Sequence, residues 1–143
     1  MIAFDFWVPG EPIQQGSLRS FISKSTHRLV TIHDKPELKS WRNLVALRCR
    51  DVMHTKGIAM AGKETAVGLQ IRFFLYRCKA AAKRAWPVVE VDCDKLARSI
   101  NDALSNVAYV DDKQVCRIEA EKTYEQALGP GAEIRVIWLD ALL

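Results

Sequence analysis

The chain has 143 residues, of which 49% are hydrophobic and 27% charged, and this composition predicts one domain spanning residues 1–143. No uncharged apolar stretch approaches the roughly 20 residues that span a bilayer, and the N-terminus lacks the basic stretch of a secretory signal. We therefore expect a cytoplasmic protein with no membrane partner. The four cysteines form no CxxC pair, which argues against a structural zinc site.

The net charge of +4 is unevenly distributed along the chain. Residues 1–90 hold 15 Lys and Arg against 7 Asp and Glu, whereas residues 91–143 hold 6 against 10. Five of the nine aspartates fall within residues 92–112. The basic part suits a nucleic-acid backbone, which the acidic part repels unless it binds a cation.

Hydrophobic periodicity predicts the elements of the first half of the chain. Alternating apolar residues predict a strand over 2–8. Residues 11–33 carry basic and hydroxyl side chains and are expected to be irregular or to form a hairpin. A helix is predicted from Asp34, which would cap it, to Gly57, where it would end. A second strand is predicted over 67–75.

The second half continues this alternation. Residues 77–86 are expected to form a short helix or a mobile loop, and residues 88–94 a strand. Asp94 is predicted to cap a helix over 95–105. Two more strands are predicted at 114–124 and 133–139. These elements favour an α+β domain in which a mixed sheet packs with two principal helices.

Two acids stand out at the start of the second predicted helix. If residues 88–94 are extended, Asp92 and Asp94 share a face, with about 6 to 7 Å between their alpha carbons. Two carboxylates at about 6 Å repel by about 3 kcal/mol at an effective dielectric near 20, unless solvent, a proton or a cation relieves them. Mg²⁺ is usually held by one or two carboxylates plus a substrate phosphate. A helix cap and an Asp111–Asp112 turn explain the same acids, so spacing alone leaves both interpretations open.

Three segments resemble the signature of the RusA family of Holliday-junction resolvases. They are DCDKLAR at 92–98, NDALSN at 101–106 and YVDDKQV at 109–115. In that family D-x-D-N-L-x-K is followed by D-A-L-N and then by D-D-x-Q. The opening strand, the Pro9-Gly10-Glu11-Pro12 segment and the order of elements are also similar. The resemblance therefore implies a RusA-like fold.

The resemblance implies a homodimeric, Mg²⁺-dependent endodeoxyribonuclease, with Mn²⁺ as a substitute ion. Such an enzyme cuts four-way junctions in branched DNA by paired, symmetric nicks, in DNA recombination and repair. The family's metal-binding aspartates fall on Asp92, Asp94 and Asp112, with Asp111 as the alternative to the last. The implied catalytic set adds Arg98 to these three acids.

The chain departs from the family pattern near these acids. Lys95 stands where the family has asparagine, and Arg98 where it has lysine. Arginine can grip a phosphate with two hydrogen bonds but is a poor proton donor, so we assign Arg98 to phosphate binding or charge stabilisation. An ion pair from Arg98 to Asp94 or Asp102 is the alternative. A basic N-terminal run of the family is replaced by Gln15-Gly16-Ser17-Leu18-Arg19.

Cations on both sides of the acids are predicted to receive DNA phosphates. Taken singly, each of them is more often a solvated surface charge, and the prediction rests on their collective placement. The predicted DNA-binding residues are Arg19, Lys24, Arg28, Lys79, Lys83, Arg84 and Lys95. Two other functions stay open: a branched-DNA-binding protein whose catalysis is impaired, and a protein unrelated to nucleic acid whose acids are structural.

Overall fold

The computed structural model describes residues 2–16, 19–32, 35–88 and 90–139, with the backbone alone for 19–21 and 30–32. In chain order its elements are β1 (Ala3–Pro9), β2 (Arg19–Ile22), β3 (Leu29–Ile32), α1 (Pro36–Lys56), β4 (Ala66–Leu75), α2 (Cys93–Leu104), β5 (Val115–Tyr124) and β6 (Gly131–Leu139). Four strands form one sheet in the order β1-β6-β4-β5, and β2 and β3 form a separate hairpin. Within the sheet, β4 and β5 pair in parallel, and the other described pairs are antiparallel. The predicted α+β domain with a mixed sheet and two helices is confirmed.

Helix α1 forms where the three- and four-residue apolar spacing predicted it. Leu38, Trp41 and Val45 lie at most 4% exposed against the sheet and the second helix. The helix ends at Gly57, whose φ of 66° is a left-handed conformation that glycine adopts without strain. Its start differs from the prediction, because Lys35 occupies the N-cap position and Pro36 begins the helix. Asp34, the predicted cap, lies outside the described residues.

Helix α2 buries a narrow apolar stripe against the sheet. Leu96, Ile100 and Leu104 are fully buried. Burying one side chain of this size stabilises the fold by about 1.5–3 kcal/mol. The opposite side of the helix carries Asp94 and Arg98, both exposed. The position and rotation of α2 are thus set by its buried stripe, which leaves the charged side facing outward.

The two faces of the sheet differ because its side chains alternate. The inner face is mainly apolar and is covered by the two helices. The outer face has a ladder of charges, in which Arg72 Nε lies 2.6 Å from Glu121 Oε1 and Arg135 Nε lies 3.8 Å from Asp5 Oδ1. These exposed pairs contribute little to stability. Among the described residues neither helix is long and apolar enough to cross a membrane.

The predicted strand at 88–94 is wrong. Residues 88, 90 and 91 form bends, Val89 lies outside the described residues, and α2 already begins at Cys93. The prediction failed because two carbonyls of this segment accept hydrogen bonds from a lysine side chain rather than from a neighbouring strand. Residues 77–86 hold only one short 3₁₀ turn, at Lys79–Ala81.

Candidate functional site

Asp92 and Asp94 lie at the N-terminus of α2. Asp92 is the N-cap residue and Asp94 belongs to the first turn, which corrects the prediction that Asp94 caps the helix. The same-face geometry of an extended strand therefore does not apply to this pair. The Asp92 side chain makes no capping hydrogen bond, and both carboxylates are exposed. The positive end of the helix dipole favours negative charge at this place.

The backbone of Asp92 is held from two directions. Lys122 Nζ of β5 donates to the carbonyl oxygens of Glu90 and Val91, at 3.1 and 2.6 Å. On the other side, the Asp92 backbone N–H donates to Gln14 Oε1 at 2.7 Å. The backbone N–H of Gln15 donates to the Lys95 carbonyl at 3.0 Å. These hydrogen bonds fix the position of the backbone from which the Asp92 and Asp94 side chains extend.

A polar network orders the basic segment that precedes Asp92. Arg84 Nη1 lies 3.0 Å from Glu90 Oε1, and the Tyr124 hydroxyl lies 3.1 Å from the same oxygen. The guanidinium carbon of Arg77 lies 4.0 Å from the Tyr124 ring centroid, a cation–π contact. Arg84, a predicted phosphate ligand, is therefore half-buried and engaged in the loop itself.

Asp111 and Asp112 form a tight turn before β5. Asp111 caps a 3₁₀ turn (Asp112–Gln114) and accepts from the Lys113 backbone N–H at 2.9 Å. This hydrogen bond lowers the pKa of the Asp111 carboxyl, and a hydrogen bond shared between the Asp111 and Asp112 carboxyl groups lowers it further. Gln114 Oε1 accepts from the Asp111 N–H at 3.0 Å, and its Nε2 donates to the Gly62 carbonyl at 2.7 Å. The turn engages the Asp111 carboxylate and leaves that of Asp112 exposed.

The two acidic groups lie at opposite ends of α2. The segment before α2 is bound to Lys122, near the end of β5, whereas Asn101 in its last turn accepts the Tyr109 hydroxyl at 2.5 Å. Tyr109 leads directly to the Asp111–Asp112 turn, and a 12-residue helix is about 18 Å long. In the part of the chain that the structure describes, no three acidic, histidine or cysteine side chains are grouped to hold a metal ion. One chain thus brings Asp92 and Asp94 together and leaves Asp112 at the far end of the helix.

A groove of about 510 Å³ lies between α2 and β5. Arg98 and Asp94 line it together with apolar atoms of both elements, and Arg98 has no ion-pair partner among the described residues. Asp102 instead lies 4.0 Å from Arg42 Nη1 of α1. The predicted alternative for Arg98, an ion pair with Asp94 or Asp102, is therefore absent from this part of the chain. The groove residues are Cys93, Asp94, Ala97, Arg98, Asn101, Ile118 and Ala120.

The predicted DNA-binding cations are distributed around the acids. Lys24 and Arg28 lie exposed at the tip of the β2–β3 hairpin, and Lys79 and Lys83 lie exposed in the segment before α2. Lys95 Nζ lies 3.4 Å from Asp92 Oδ2, so this departure from the family pattern places a cation beside the acids. The Arg19 side chain lies outside what the structure describes.

Sequence reasoning missed the residues that support Asp92 from a distance. Gln14 and Lys122 are 78 and about 30 positions away from the groups they bind. No spacing rule connects them to the D-x-D pattern. The Lys122 side chain lies on the helix-facing side of β5, where an apolar residue is expected, and that anomaly was the one available signal.

A comparison with protein families supports the same interpretation of the chain. A family model described as endodeoxyribonuclease RusA matches residues 9–137. This range includes both acidic groups, both helices and nearly the whole sheet. No individual curated protein matches the chain.

Proposed function

The chain belongs to the RusA family of endodeoxyribonucleases, and from this premise we propose that it is a Mg²⁺-dependent enzyme that resolves four-way DNA junctions by paired, symmetric nicks. It would act in the cytoplasm, in DNA recombination and repair. The observation that carries the proposal is the exposed Asp92–Asp94 pair, which is fastened at the N-terminus of α2 by Gln14 and Lys122. Cations on the hairpin and on the segment before α2 would bind phosphates on either side.

Helix α2 supplies two of the ligands that a hard divalent cation would need. Carboxylate oxygens are the ligands that Mg²⁺ and Mn²⁺ prefer, and one or two of them plus a phosphate are usual. Asp92 and Asp94 would supply them, after Lys95 releases Asp92. When bound, the ion would activate a water and neutralise charge on the phosphate. Arg98, exposed one turn further along α2, would bind the same phosphate.

The free edge of β5 supports the proposed homodimer. β5 is a ten-residue strand at the edge of the sheet, and no strand pairs with its outer edge among the described residues. An uncovered edge of this length invites pairing, and natural proteins usually cover it. Ile118, in the middle of the strand, is 45% exposed. We infer that a second copy of β5 covers this edge, related by a two-fold axis.

The charges of β5 favour a register centred on Ile118 over those centred on its neighbours Arg117 and Glu119. A two-fold axis perpendicular to the sheet keeps every side chain on its own face. One residue of β5 must therefore lie directly opposite its own copy, with the axis midway between the two. With the axis at Ile118, this residue faces the partner's Ile118, and Arg117 faces the partner's Glu119 on both sides. An axis at Arg117, Glu119 or Ala120 would instead place like charges opposite each other, which is destabilising.

This register would complete the acidic site across the interface. α2 runs antiparallel to β5, so its N-terminus lies near Lys122. Lys122 would face the partner's Gln114, two residues beyond Asp112 of the partner subunit. Asp112 of each chain would therefore approach Asp92 and Asp94 of the other, and a dimer would hold two such sites. Two identical sites related by a two-fold axis suit a junction that is cut symmetrically.

A cysteine at the two-fold axis tests the dimer. In a protein whose exposed Cys78 and Cys116 are replaced by serine, we expect Ile118→Cys to form a disulfide-linked dimer under mild oxidation. Directly opposed residues of antiparallel strands are about 4.5–5.5 Å apart at the alpha carbon, within the disulfide range. Non-reducing electrophoresis measures the linkage. Leu47→Cys, exposed on α1, is the matched control, and equal linkage of both variants would contradict this interface.

Loss of the Lys122 ammonium tests the support of Asp92. We expect Lys122→Met to lower junction cleavage about tenfold or more, because displacing a catalytic group by about 1 Å can cost 100-fold. Junction binding should be retained, since Lys122 contacts the backbone of residues 90 and 91. Cleavage and gel-shift assays measure both effects. Lys56→Met, at the exposed end of α1, should cleave normally. Normal cleavage by the Lys122 variant would remove it from the site.

One observation favours a second candidate function, a branched-DNA-binding protein that does not cut. The 3.4 Å contact from Lys95 to Asp92 places an ammonium where a metal ion would bind. Incubation of the protein with a synthetic four-way junction and Mg²⁺ decides between the two functions. Paired nicks support the enzyme, whereas tight binding without cleavage in Mg²⁺ or Mn²⁺ supports the second candidate. Absence of binding at low salt would overturn both.

A further inference from the structure

The β2–β3 hairpin is a separate unit of the molecule. Among the described residues its two strands pair with each other and with no strand of the four-stranded sheet. The strands are joined by a short connection in which His27 has a φ of 57°, and the Ser23 N–H donates to the Arg28 carbonyl at 2.9 Å. The hydroxyls of Ser23 and Ser25 lie 3.1 Å apart at its tip. The tip is thus an ordered turn rich in hydroxyl groups.

Two large apolar side chains stand exposed just below this tip. Ile22 is 68% exposed and Leu29 is 71% exposed. They are direct cross-strand partners, so both side chains lie on the same face of the hairpin. A pair of aliphatic side chains held together in water is unfavourable unless something covers it. Neither residue belongs to the hydrophobic core.

The charge around this apolar pair indicates what covers it. Residues 12–33 contain no acidic side chain, and the tip carries Lys24 and Arg28, both exposed. The cations and hydroxyl groups of the tip can bind the phosphates on the outside of a nucleic acid. The aliphatic pair beside them can contact the stacked bases inside it. Aliphatic side chains that enter DNA between base pairs partly unstack them and bend the helix.

The hairpin begins close to the acidic site. Gln14 and Gln15 are hydrogen-bonded to Asp92 and Lys95 at the start of α2. β2 starts at Arg19, four residues after Gln15, and four residues span at most about 14 Å. The base of the hairpin is therefore within about 14 Å of the helix that carries Asp92 and Asp94. DNA held at that helix is within reach of the hairpin.

We propose that Ile22 and Leu29 form an aliphatic wedge that unstacks base pairs of the bound DNA at the branch point, while Lys24 and Arg28 bind the adjacent phosphates. This inference rests on the proposed function, because it requires bound branched DNA. The wedge would separate the base pairs at the branch point. The phosphate to be cut would then be accessible to the acids of α2. The hairpin would thus select branched DNA, where base pairs are already weakly stacked, over a continuous duplex.

The test uses the whole protein and a four-way junction that carries 2-aminopurine at the branch point. Wild-type protein, without divalent metal, should raise the fluorescence severalfold, because unstacked 2-aminopurine is bright. The double variant Ile22→Ala/Leu29→Ala should lose most of this rise and about tenfold or more of the preference for junction over duplex, because it lacks the side chains that hold the bases apart. Leu47→Ala, an exposed leucine on α1, is the matched control.

The outcomes separate the wedge from the function on which it rests. If wild type and the double variant bind and unstack the junction equally, the wedge is overturned and the nuclease proposal stands. If wild-type protein does not bind the junction, both fail. If the double variant binds normally but changes its sedimentation from dimer to monomer, the pair belongs to a contact between copies of the chain, and the wedge is likewise overturned.

Discussion

Replacement of Asp92 by Asn is expected to abolish junction cleavage while junction binding is retained. Asn keeps the size of the side chain but removes one anionic ligand from the N-terminus of α2, where Asp92 is the N-cap residue. A bound metal ion contributes several kcal/mol to transition-state stabilisation, and each 1.36 kcal/mol corresponds to a factor of ten in rate. We therefore expect cleavage to fall about 1000-fold or more in a Mg²⁺-containing assay with a labelled four-way junction.

Asp51→Asn is the matched control for this loss. Asp51 is exposed on α1, so the same chemical change alters the net charge equally but leaves the acidic pair intact. Its cleavage rate should equal that of wild type. Binding of the junction, measured without divalent metal, should be as tight or slightly tighter for Asp92→Asn, because one repulsive charge is removed. Full cleavage by Asp92→Asn would remove this residue from the active site.

Mixing two inactive variants is expected to restore cleavage. Asp92→Asn and Asp112→Asn should each be inactive alone, because each damages both sites of a homodimer. In a mixed dimer with sites shared across β5, one site holds both substitutions and the other holds neither. Random assortment makes about half the dimers mixed, so about a quarter of the sites should be intact. These sites should nick one strand without the paired cut, as read on a denaturing gel.

The mixture discriminates between three arrangements of the acids. If each site lay within one chain, every site of the mixed dimer would contain one substitution and the mixture would stay inactive. If Asp112 were no ligand, Asp112→Asn would be active by itself. Restored nicking by the mixture alone supports the shared site, and it is independent of any particular register of β5. Separately tagged chains allow the mixed dimer to be isolated before the assay.

Much of the fold follows from local patterns in the sequence. The strand and helix periodicities place α1, α2 and the four sheet strands within a few residues of their bounds, because buried stripes repeat at 3.6 and 2 residues. The prediction failed over residues 88–94, where apolar and acidic residues alternate without a strand. There the backbone is satisfied by Lys122, a side chain distant in sequence. Alternation of apolar and polar residues describes the side chains only. It does not show which groups form hydrogen bonds with the backbone N–H and C=O groups.

The sequence also predicted the chemistry of the candidate site, from the acids and their spacing. Asp92, Asp94 and the Asp111–Asp112 pair are fixed by position, and their hard oxygen donors predict a divalent cation. The resemblance to the family rested on these same residues, and the family match over residues 9–137 confirms it. Spacing could not choose between Asp111 and Asp112. The turn itself favours Asp112, because the Lys113 amide engages Asp111.

The sequence by itself determined the family, the elements and the set of acids, because these depend on local periodicity and on residue identity. Only the tertiary structure decided how the acids are distributed in space. The 12-residue helix α2 is a rigid rod about 18 Å long, and within one chain Asp92 and the Asp111–Asp112 turn lie near its opposite ends. Helix α2 packs antiparallel to β5. Asp92 and Asp94 therefore lie near the end of the strand that holds Lys122, and the Asp111–Asp112 turn precedes its start. Such long-range packing has no signature in residue spacing, and here it places the two groups of acids at opposite ends of one helix.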